Sequence, residues 1–370
     1  MPDSRQNDTA QSASAGPLRL LNDCLKVETG QSLLVVGESA LAGYYDEGAA
    51  ERVAAEASGL GLDVTRLTVA PGLNTKKDQE ALLAAIKGYD HVVFFARAGD
   101  QIRFSSDLAG QSIAMSYALD LGMLESDFAA ASYNGLCRLR DTIDAFIAEA
   151  SEIRVTCPRG SDYAGAPVKQ TDRAAGPAEV TVRRFPMLIV KPVTAAGFRG
   201  RVALSRFLAG TGSRFYQPYA LPLEADVFAL VEDNRVVEFE GPKNVVSQIR
   251  AHYRDIAERY DLDPWFLHSW HAGIHPASDY TQAAAAHYER WSGGAFGNPR
   301  ILHFHTCGDY APGEISWTLV DATVSVDGIA VWQAGRLHPE RVPGAPEILA
   351  DEPALAALYA QPCRGIGITD

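Results

Sequence analysis

Alternating apolar runs and helix-like stretches over the first 150 residues constrain this chain more than any other feature. Ser32–Ser39 ("SLLVVGES") and Asp90–Ala96 ("DHVVFFA") are short, continuous apolar runs. Such runs are typical of strands buried on both faces of a parallel sheet. Between them come a helix-like stretch, an alternating strand at Asp63–Val69 and a second helix-like stretch. Strand, helix, strand, helix, strand predicts a doubly wound, Rossmann-like α/β domain.

The chain of 370 residues exceeds what a single core normally holds, so two domains are expected. Residues 1–16 are polar and predict a flexible tail, and residues 17–151 form the expected α/β domain. After Ser151 the sequence becomes rich in β-strand patterns with turn signals, around one clear helix at Asn244–Leu262. Residues 152–370 therefore predict an α+β domain with an antiparallel sheet.

Charge, hydropathy and cysteine usage exclude several classes of partner. The net charge of −13 and the lack of a basic stripe argue against nucleic acid. No apolar run approaches the ~20 residues that cross a bilayer, so no membrane association is expected. The five cysteines are scattered and form no Cys-x-x-Cys pair, which favours reduced thiols in the cytoplasm and argues against a cysteine-based zinc site.

Histidines concentrate in the second domain, where six of the nine fall between His268 and His305. In a strand "RILHFHT", His303 and His305 point to the same face. Two imidazoles on one buried face need partners, and a divalent metal is a suitable one, although structurally satisfied histidines remain an alternative. Glu314 follows a short Gly- and Pro-containing loop, and Asp309 lies within it, so either could supply a carboxylate. The thiol of Cys307 is a further, weaker candidate as a nucleophile.

Several segments resemble the aminopeptidase T-like superfamily from about residue 30 onward, most clearly from Arg154. They are "IRVTCPRGSDYAG", "ADVFALVEDNRVVEFEG", "HAGIHP" and "VDGIAVWQAGRL". That superfamily contains metallo-aminopeptidases and the Fe(II) ring-cleaving 2,5-dihydroxypyridine 5,6-dioxygenases, and the dioxygenase branch is the closer in kind.

The resemblance implies a metal ligand just before the Gly-Ile-His-Pro run, at His268 or His271. In the dioxygenase branch a His-x-Asp pair supplies the other two ligands, and this chain has Glu314-Ile315-Ser316 at about that place. The peptidases carry a Glu before Gly-Ile, where this chain has His271. Neither ligand set is intact, so the resemblance implies a rebuilt, histidine-rich site.

Taken together, the sequence predicts a metalloenzyme whose metal is held by His271, His305 and Glu314. His303 and His268 are the alternative ligands and, if not ligands, the candidate general bases. The aromatic residues expected to line the substrate pocket are Trp270, Tyr310 and Trp317.

The leading hypothesis is a non-heme Fe(II) dioxygenase that uses O₂ on a small hydroxylated aromatic or N-heteroaromatic compound. The alternatives are a hydrolase of the aminopeptidase or amidase kind that uses zinc or another divalent metal, and a non-catalytic metal-binding protein. Because relatives in the superfamily form dimers or rings, a homo-oligomer is expected.

Overall fold

The computed structural model describes residues 14–71, 75–103, 105–168, 182–210, 216–308 and 312–369. They form two compact units. One contains the described residues up to Leu136 together with Val182–Met187, and the other contains the rest. Among the described residues, no helix is long and apolar enough to cross a membrane.

The first unit is built on a five-stranded, fully parallel sheet with strand order β2-β1-β3-β4-β7. Its strands are β1 (Ser32–Glu38), β2 (Asp63–Val69), β3 (His91–Phe95), β4 (Ser112–Ser116) and β7 (Arg183–Phe185). Every residue of β3 is buried, as expected for a continuous apolar strand inside a parallel sheet.

Helices connect the parallel strands, and their caps are readable in the sequence. Asp46 caps the helix Glu47–Gly59 by accepting from the Ala49 N–H, and Thr75 with Asp78 forms a capping box at the helix Lys76–Ile86. The short helices are Ala98–Ile102, Leu121–Leu124 and Asp127–Ala130, with a π-helix at Arg19–Leu25 and 3₁₀ turns at Ala40–Ala42 and Ser106–Leu108. The expected parallel α/β layer is thus present, although the order 2-1-3-4 differs from the 3-2-1-4-5-6 order of Rossmann sheets.

The second unit contains two antiparallel sheets, in agreement with the α+β expectation. The six-stranded sheet has the order β11-β10-β16-β15-β14-β8. Its strands are β8 (Val193–Thr194), β10 (Phe207–Ala209), β11 (Ala220–Pro222), β14 (Leu267–Ala272), β15 (Ile301–Cys307) and β16 (Glu314–Val320).

The eight-stranded sheet has the order β13-β12-β9-β6-β5-β17-β18-β19. Its strands are β5 (Ile153–Thr156), β6 (Asp162–Gly165), β9 (Phe198–Leu204), β12 (Val227–Glu232), β13 (Arg235–Glu240), β17 (Thr323–Val326), β18 (Ile329–Gln333) and β19 (Arg336–Leu337). The helices of this unit are Tyr133–Ala148, Lys243–Tyr260, Tyr288–Ala295, Ala345–Asp351 and Pro353–Ala360, with 3₁₀ turns at Ala284–Ala286 and Pro339–Arg341.

The division between the units differs from the expected boundary at Ser151. The helix Tyr133–Ala148 lies mostly in the second unit, where Arg138 forms an ion pair with Asp351. After the loop that follows β6, the chain returns to the first unit, because β7 adds to the parallel sheet beside β4. A split by sequence alone misses this return, since β7 is only three residues long.

One face of the six-stranded sheet forms the core of the second unit. Phe304 packs 5.6 Å from Trp317 and 5.5 Å from Tyr163 of the eight-stranded sheet, measured between ring centroids. The Trp317 indole N–H donates to the Tyr253 hydroxyl of the helix Lys243–Tyr260 at 2.5 Å. Because strand side chains alternate, the residues between these aromatic positions lie on the opposite face of the sheet.

Candidate metal centre

Three histidines meet on that opposite face. β14 and β15 are antiparallel, and their register sets His271 directly across from His303. His305 lies two residues further along β15, so it shares the same face. The candidate ligand nitrogens of His271, His303 and His305 all lie within 4.8 Å of one another.

The rings of His271 and His303 are buried and stacked, and the largely buried ring of His305 is tilted to both. The rings of His271 and His303 are nearly parallel, at 7° with centroids 5.1 Å apart, and His305 lies 4.9 Å from the first and 5.1 Å from the second. Phe296 covers the other side of His303 at 4.1 Å and is itself held edge-on by Trp291. The cluster therefore has an apolar wall formed where the helix Tyr288–Ala295 ends.

Hydrogen bonds show which ring nitrogen donates in two of the imidazoles. His271 Nδ1 lies 2.9 Å from the carbonyl oxygen of Val190, which can only accept. Nδ1 therefore donates its N–H, and in the neutral imidazole Nε2 keeps its lone pair. Nδ1 of His305 contacts the Glu314 carboxylate in the same way, and His305 Nε2 has no hydrogen-bond partner in the described part of the chain.

This arrangement fits a divalent metal. The second ring nitrogen of a ligand histidine commonly donates its N–H to a carboxylate or a backbone carbonyl, and Nδ1 of His305 and of His271 makes such a contact here. The buried hydroxyl of Ser316, paired across the sheet from His305, also has no partner among the described residues, so a polar occupant would satisfy it. Nitrogens sharing a tetrahedral zinc are about 3.4 Å apart, so the three rings need only a small closure to bind one ion.

Glu314 was predicted as a ligand, and its observed contact is with the Nδ1 side of His305. Its side chain is only 3% exposed, and the Tyr216 hydroxyl donates to its backbone carbonyl at 2.6 Å. A carboxylate in this position orients an imidazole and raises its basicity. Direct ligation by Glu314 stays a prediction, and Asp309 lies outside the described residues.

The remaining predicted site residues are not part of the three-histidine cluster. His268 sits at a register shift in β14, its Nδ1 sharing a hydrogen bond of 2.9 Å with the Ser269 hydroxyl. Trp270 and Trp317 are fully buried on the core face, because each alternates with residues on the histidine face. The structure therefore does not bring them together with the imidazoles, and Tyr310 lies outside the described residues.

The chemistry of Cys307 does not favour a nucleophile. Burial raises the pKa of its thiol to about 12, so the thiolate is scarce near neutrality. Residues that sequence reasoning missed are Val190, which acts through its backbone carbonyl, and Phe296. Neither carries a sequence signal, since any residue has a carbonyl and an isolated Phe is ordinary.

Solved structures that share this fold include a 2,5-dihydroxypyridine dioxygenase and AmpT. The 2,5-dihydroxypyridine dioxygenase from Pseudomonas putida KT2440 aligns with a TM-score of 0.58 at 14% identity, covering 91% of this chain and 99% of its own. AmpT from Thermus thermophilus aligns with a TM-score of 0.50 at 12% identity, covering 89% of this chain and 99% of its own.

At these identities the likeness shows a common fold. The resemblance predicted from the sequence is thus confirmed for the fold alone. No protein-family model matches the sequence, and no curated protein matches it significantly.

Proposed function

We propose that this chain is a metal-dependent enzyme, a non-heme Fe(II) oxygenase of the ring-cleaving type. Its substrate would be a small hydroxylated aromatic or N-heteroaromatic compound. The observation that carries the proposal is the buried cluster of His271, His303 and His305, with a carboxylate on the outer side of His305. A 2,5-dihydroxypyridine dioxygenase shares the fold, which supports the oxygenase as one chemistry that this fold can hold.

The proposed ligands are His271, His303 and His305, with Glu314 as the residue that holds His305. When bound, a divalent iron supplies the one-electron chemistry that lets O₂ react with an electron-rich ring. Glu314 keeps the Nδ1 proton of His305 in place, and the Val190 carbonyl does the same for His271. Three neutral imidazoles leave the ionic charge of the metal uncompensated among its ligands, which favours an anionic, hydroxyl-bearing substrate.

Phe296 gives the site a way to exclude water on one side. Its ring lies against His303 and so shields that side of the cluster from water. His268 remains the proposed general base if His303 is a ligand. The Ser269 hydroxyl contacts its Nδ1 and so limits the orientations of its ring.

A metal-dependent hydrolase of the aminopeptidase or amidase kind is the second candidate. Three-histidine sets also hold zinc in hydrolytic and hydrating enzymes, and AmpT shares the fold. In that case a zinc ion would lower the pKa of a water, and Glu314 or Asp309 would accept its proton.

We also propose a homo-oligomer working in the cytoplasm on a small molecule with O₂. The five cysteines are all free thiols. Two antiparallel sheets also end in edge strands, among them β13 and β11, which need pairing or cover.

Metal analysis tests the ligand set. Protein purified without a tag under anaerobic conditions is reconstituted with Fe(II), Zn(II) or Co(II), and bound metal per chain is measured. His271→Ala, His303→Ala and His305→Ala should each lose the metal, whereas His338→Ala, which removes an imidazole outside the cluster, should keep it. Full occupancy in any of the three would remove that residue from the site.

Glu314→Gln separates a ligand from an orienting residue. Loss of an orienting partner weakens metal affinity by roughly 10–100-fold, and binding persists at higher metal concentration. Abolished binding with intact folding would instead make Glu314 a ligand, as the sequence predicted.

An oxygen electrode then separates the two reactions. With Fe(II), O₂ uptake should follow addition of a dihydroxylated pyridine or aromatic acid from a panel. A parallel panel of aminoacyl amides is tested with zinc. Turnover of the amides, with no O₂ uptake for any ring compound, would overturn the oxygenase in favour of the hydrolase.

A further inference from the structure

A buried carboxylate lies behind the peptide that holds His271. Asp144, on the helix Tyr133–Ala148, has a side chain only 9% exposed. Its Oδ1 accepts from the Lys191 backbone N–H at 2.8 Å, and its Oδ2 lies 3.5 Å from the Arg140 guanidinium. Arg140 is shared with the exposed Asp141, so it compensates Asp144 only in part.

The Lys191 N–H and the Val190 carbonyl belong to the same peptide group. The carbonyl end accepts the Nδ1 proton of His271 at 2.9 Å, while the N–H end donates to Asp144. A peptide is planar and conjugated, so negative charge at its N–H end increases the electron density on its oxygen. That in turn strengthens the hydrogen bond to His271.

The backbone around this peptide is itself fixed. The Val190 N–H donates to the Ala272 carbonyl, and the Ile274 N–H donates to the Leu188 carbonyl, so Leu188–Val190 lies along β14 and its extension. These bonds fix the two peptide groups that precede Val190–Lys191, and the Val190–Lys191 peptide itself is held by His271 at its oxygen and by Asp144 at its N–H. Its position relative to the imidazole is set by the sheet, and its polarity is set by Asp144.

We propose that Asp144 is a positioning residue that acts on His271 through the Val190–Lys191 peptide, an inference that rests on the proposed metal site. His305 has a carboxylate in direct contact, and His271 has one a single peptide away. Both rings are thus held in the form with Nε2 unprotonated. Glu314 orients His305 by direct contact with its Nδ1. Asp144 acts on His271 in the same way, but through the Val190–Lys191 peptide.

The energetics of Asp144 agree with this role. Burial raises the pKa of its carboxyl from 3.8 to about 6, while the Lys191 N–H, Arg140 and Lys191 act in the opposite direction. A neutral side chain would accept the same N–H bond without the cost of desolvating a charge. Burial therefore disfavours the charged form of Asp144, and the group that its Oδ1 contacts is the Lys191 N–H.

The test compares Asp144→Asn with Asp141→Asn. The first keeps an oxygen acceptor for the Lys191 N–H and removes the charge, and the second removes a neighbouring carboxylate that does not contact Lys191. Co(II) or Zn(II) affinity is measured by competition with a chelator. We expect Asp144→Asn to bind about three- to tenfold more weakly, less than the loss of a direct partner, and Asp141→Asn to match the wild type. Equal affinity in both variants would overturn the proposal.

A second readout uses metal-free protein, so that a failure of the proposed metal site can be distinguished from a failure of the proposed role of Asp144. With ¹⁵N-labelled histidine, the ring nitrogens of His271 report which of them carries the proton. The wild type and Asp141→Asn should show a protonated Nδ1, and Asp144→Asn a shift toward a mixed population. If the wild type binds no metal and this shift still occurs, the proposed function fails while the role of Asp144 stands. An unchanged His271 signal refutes the role.

Should Asp144→Asn fail to fold, the wild type alone provides the measurement. An amide proton bonded to a carboxylate resonates far downfield, and the Lys191 amide should do so. Zinc loading should move this resonance further, because the ligand ring and the amide are linked through one peptide. A Lys191 amide at an ordinary position that zinc leaves unmoved would overturn the proposal.

Discussion

Asp144 should make the second unit lose stability as the pH rises through 6. A carboxyl whose pKa is higher in the folded than in the unfolded state binds its proton more tightly in the fold. Its stabilising contribution is complete below the unfolded value of 3.8 and is lost as the pH rises through the folded value of about 6. Asp144→Asn removes this pH dependence, so the stability of the variant relative to the wild type should increase with pH.

The size of the effect follows from the two pKa values. Each pKa unit corresponds to about 1.36 kcal/mol, so the change from 3.8 to about 6 is worth about 3 kcal/mol when complete. Part of this contribution to the unfolding free energy is already lost at mildly acidic pH. Between about pH 4.5 and about pH 7.5 the difference in unfolding free energy between Asp144→Asn and the wild type should grow by about 2 kcal/mol.

Urea unfolding followed by tryptophan fluorescence is the suitable assay. All five tryptophans lie at or beyond Trp265, so the signal reports on the unit that contains Asp144. Titrations of other groups are common to both proteins and cancel in the difference. Asp141→Asn, whose side chain is 59% exposed, is the control and should follow the wild type within a few tenths of a kcal/mol. If the difference between Asp144→Asn and the wild type stays constant with pH, Asp144 is not a destabilising buried carboxylate and the reasoning is refuted.

Three further predictions concern the core, the thiols and assembly. Trp317→Phe should lower the unfolding free energy by about 2 kcal/mol, through a lost hydrogen bond to Tyr253 and lost volume, yet leave metal stoichiometry unchanged; loss of metal would return Trp317 to the site. Under native conditions a thiol reagent should label the exposed Cys363 well before the buried Cys307, and equal rates of labelling would contradict the burial of Cys307. Sedimentation should give a mass above the 39.8 kDa of one chain, and a monomer at micromolar concentration would contradict oligomerisation.

The sequence predicts the strands and helices whose formation depends mainly on a local pattern of residues. Continuous apolar runs predicted β1 and β3, and the two helix-like stretches between them are helices in the structure. Short elements were not readable, because their order in a sheet depends on tertiary pairing. β7 has three residues, follows a long loop and still completes the parallel sheet.

The candidate site was predictable only to the extent that it depends on strand alternation. The period of two correctly sets His303 and His305 on one face. The register between β14 and β15 is a tertiary property, and it adds His271 directly opposite His303. The same alternation, applied to Trp270 and Trp317, would have assigned both to the core face.

The groups that hold His271 through hydrogen bonds could not be predicted from the sequence for a different reason. Every residue has a backbone carbonyl, so the residue type at Val190 does not reveal its role. Along the sequence, most of the strands of the second unit lie between Asp144 and His271. Only the folded chain brings the helix Tyr133–Ala148 against Lys191.

The two faces of the six-stranded sheet depend on one another. A slip of one residue by β14 against β15 would move His271 to the core face, turn Trp270 toward the site and separate Trp270 from Phe304. The aromatic face opposes such a slip, because each of those side chains is fully buried there and would leave a cavity or lose its packing. The geometry of the three imidazoles is therefore set by residues that never touch a metal. For this reason, changes in the core that loosen the register, rather than merely lower stability, should weaken metal binding even with every histidine present.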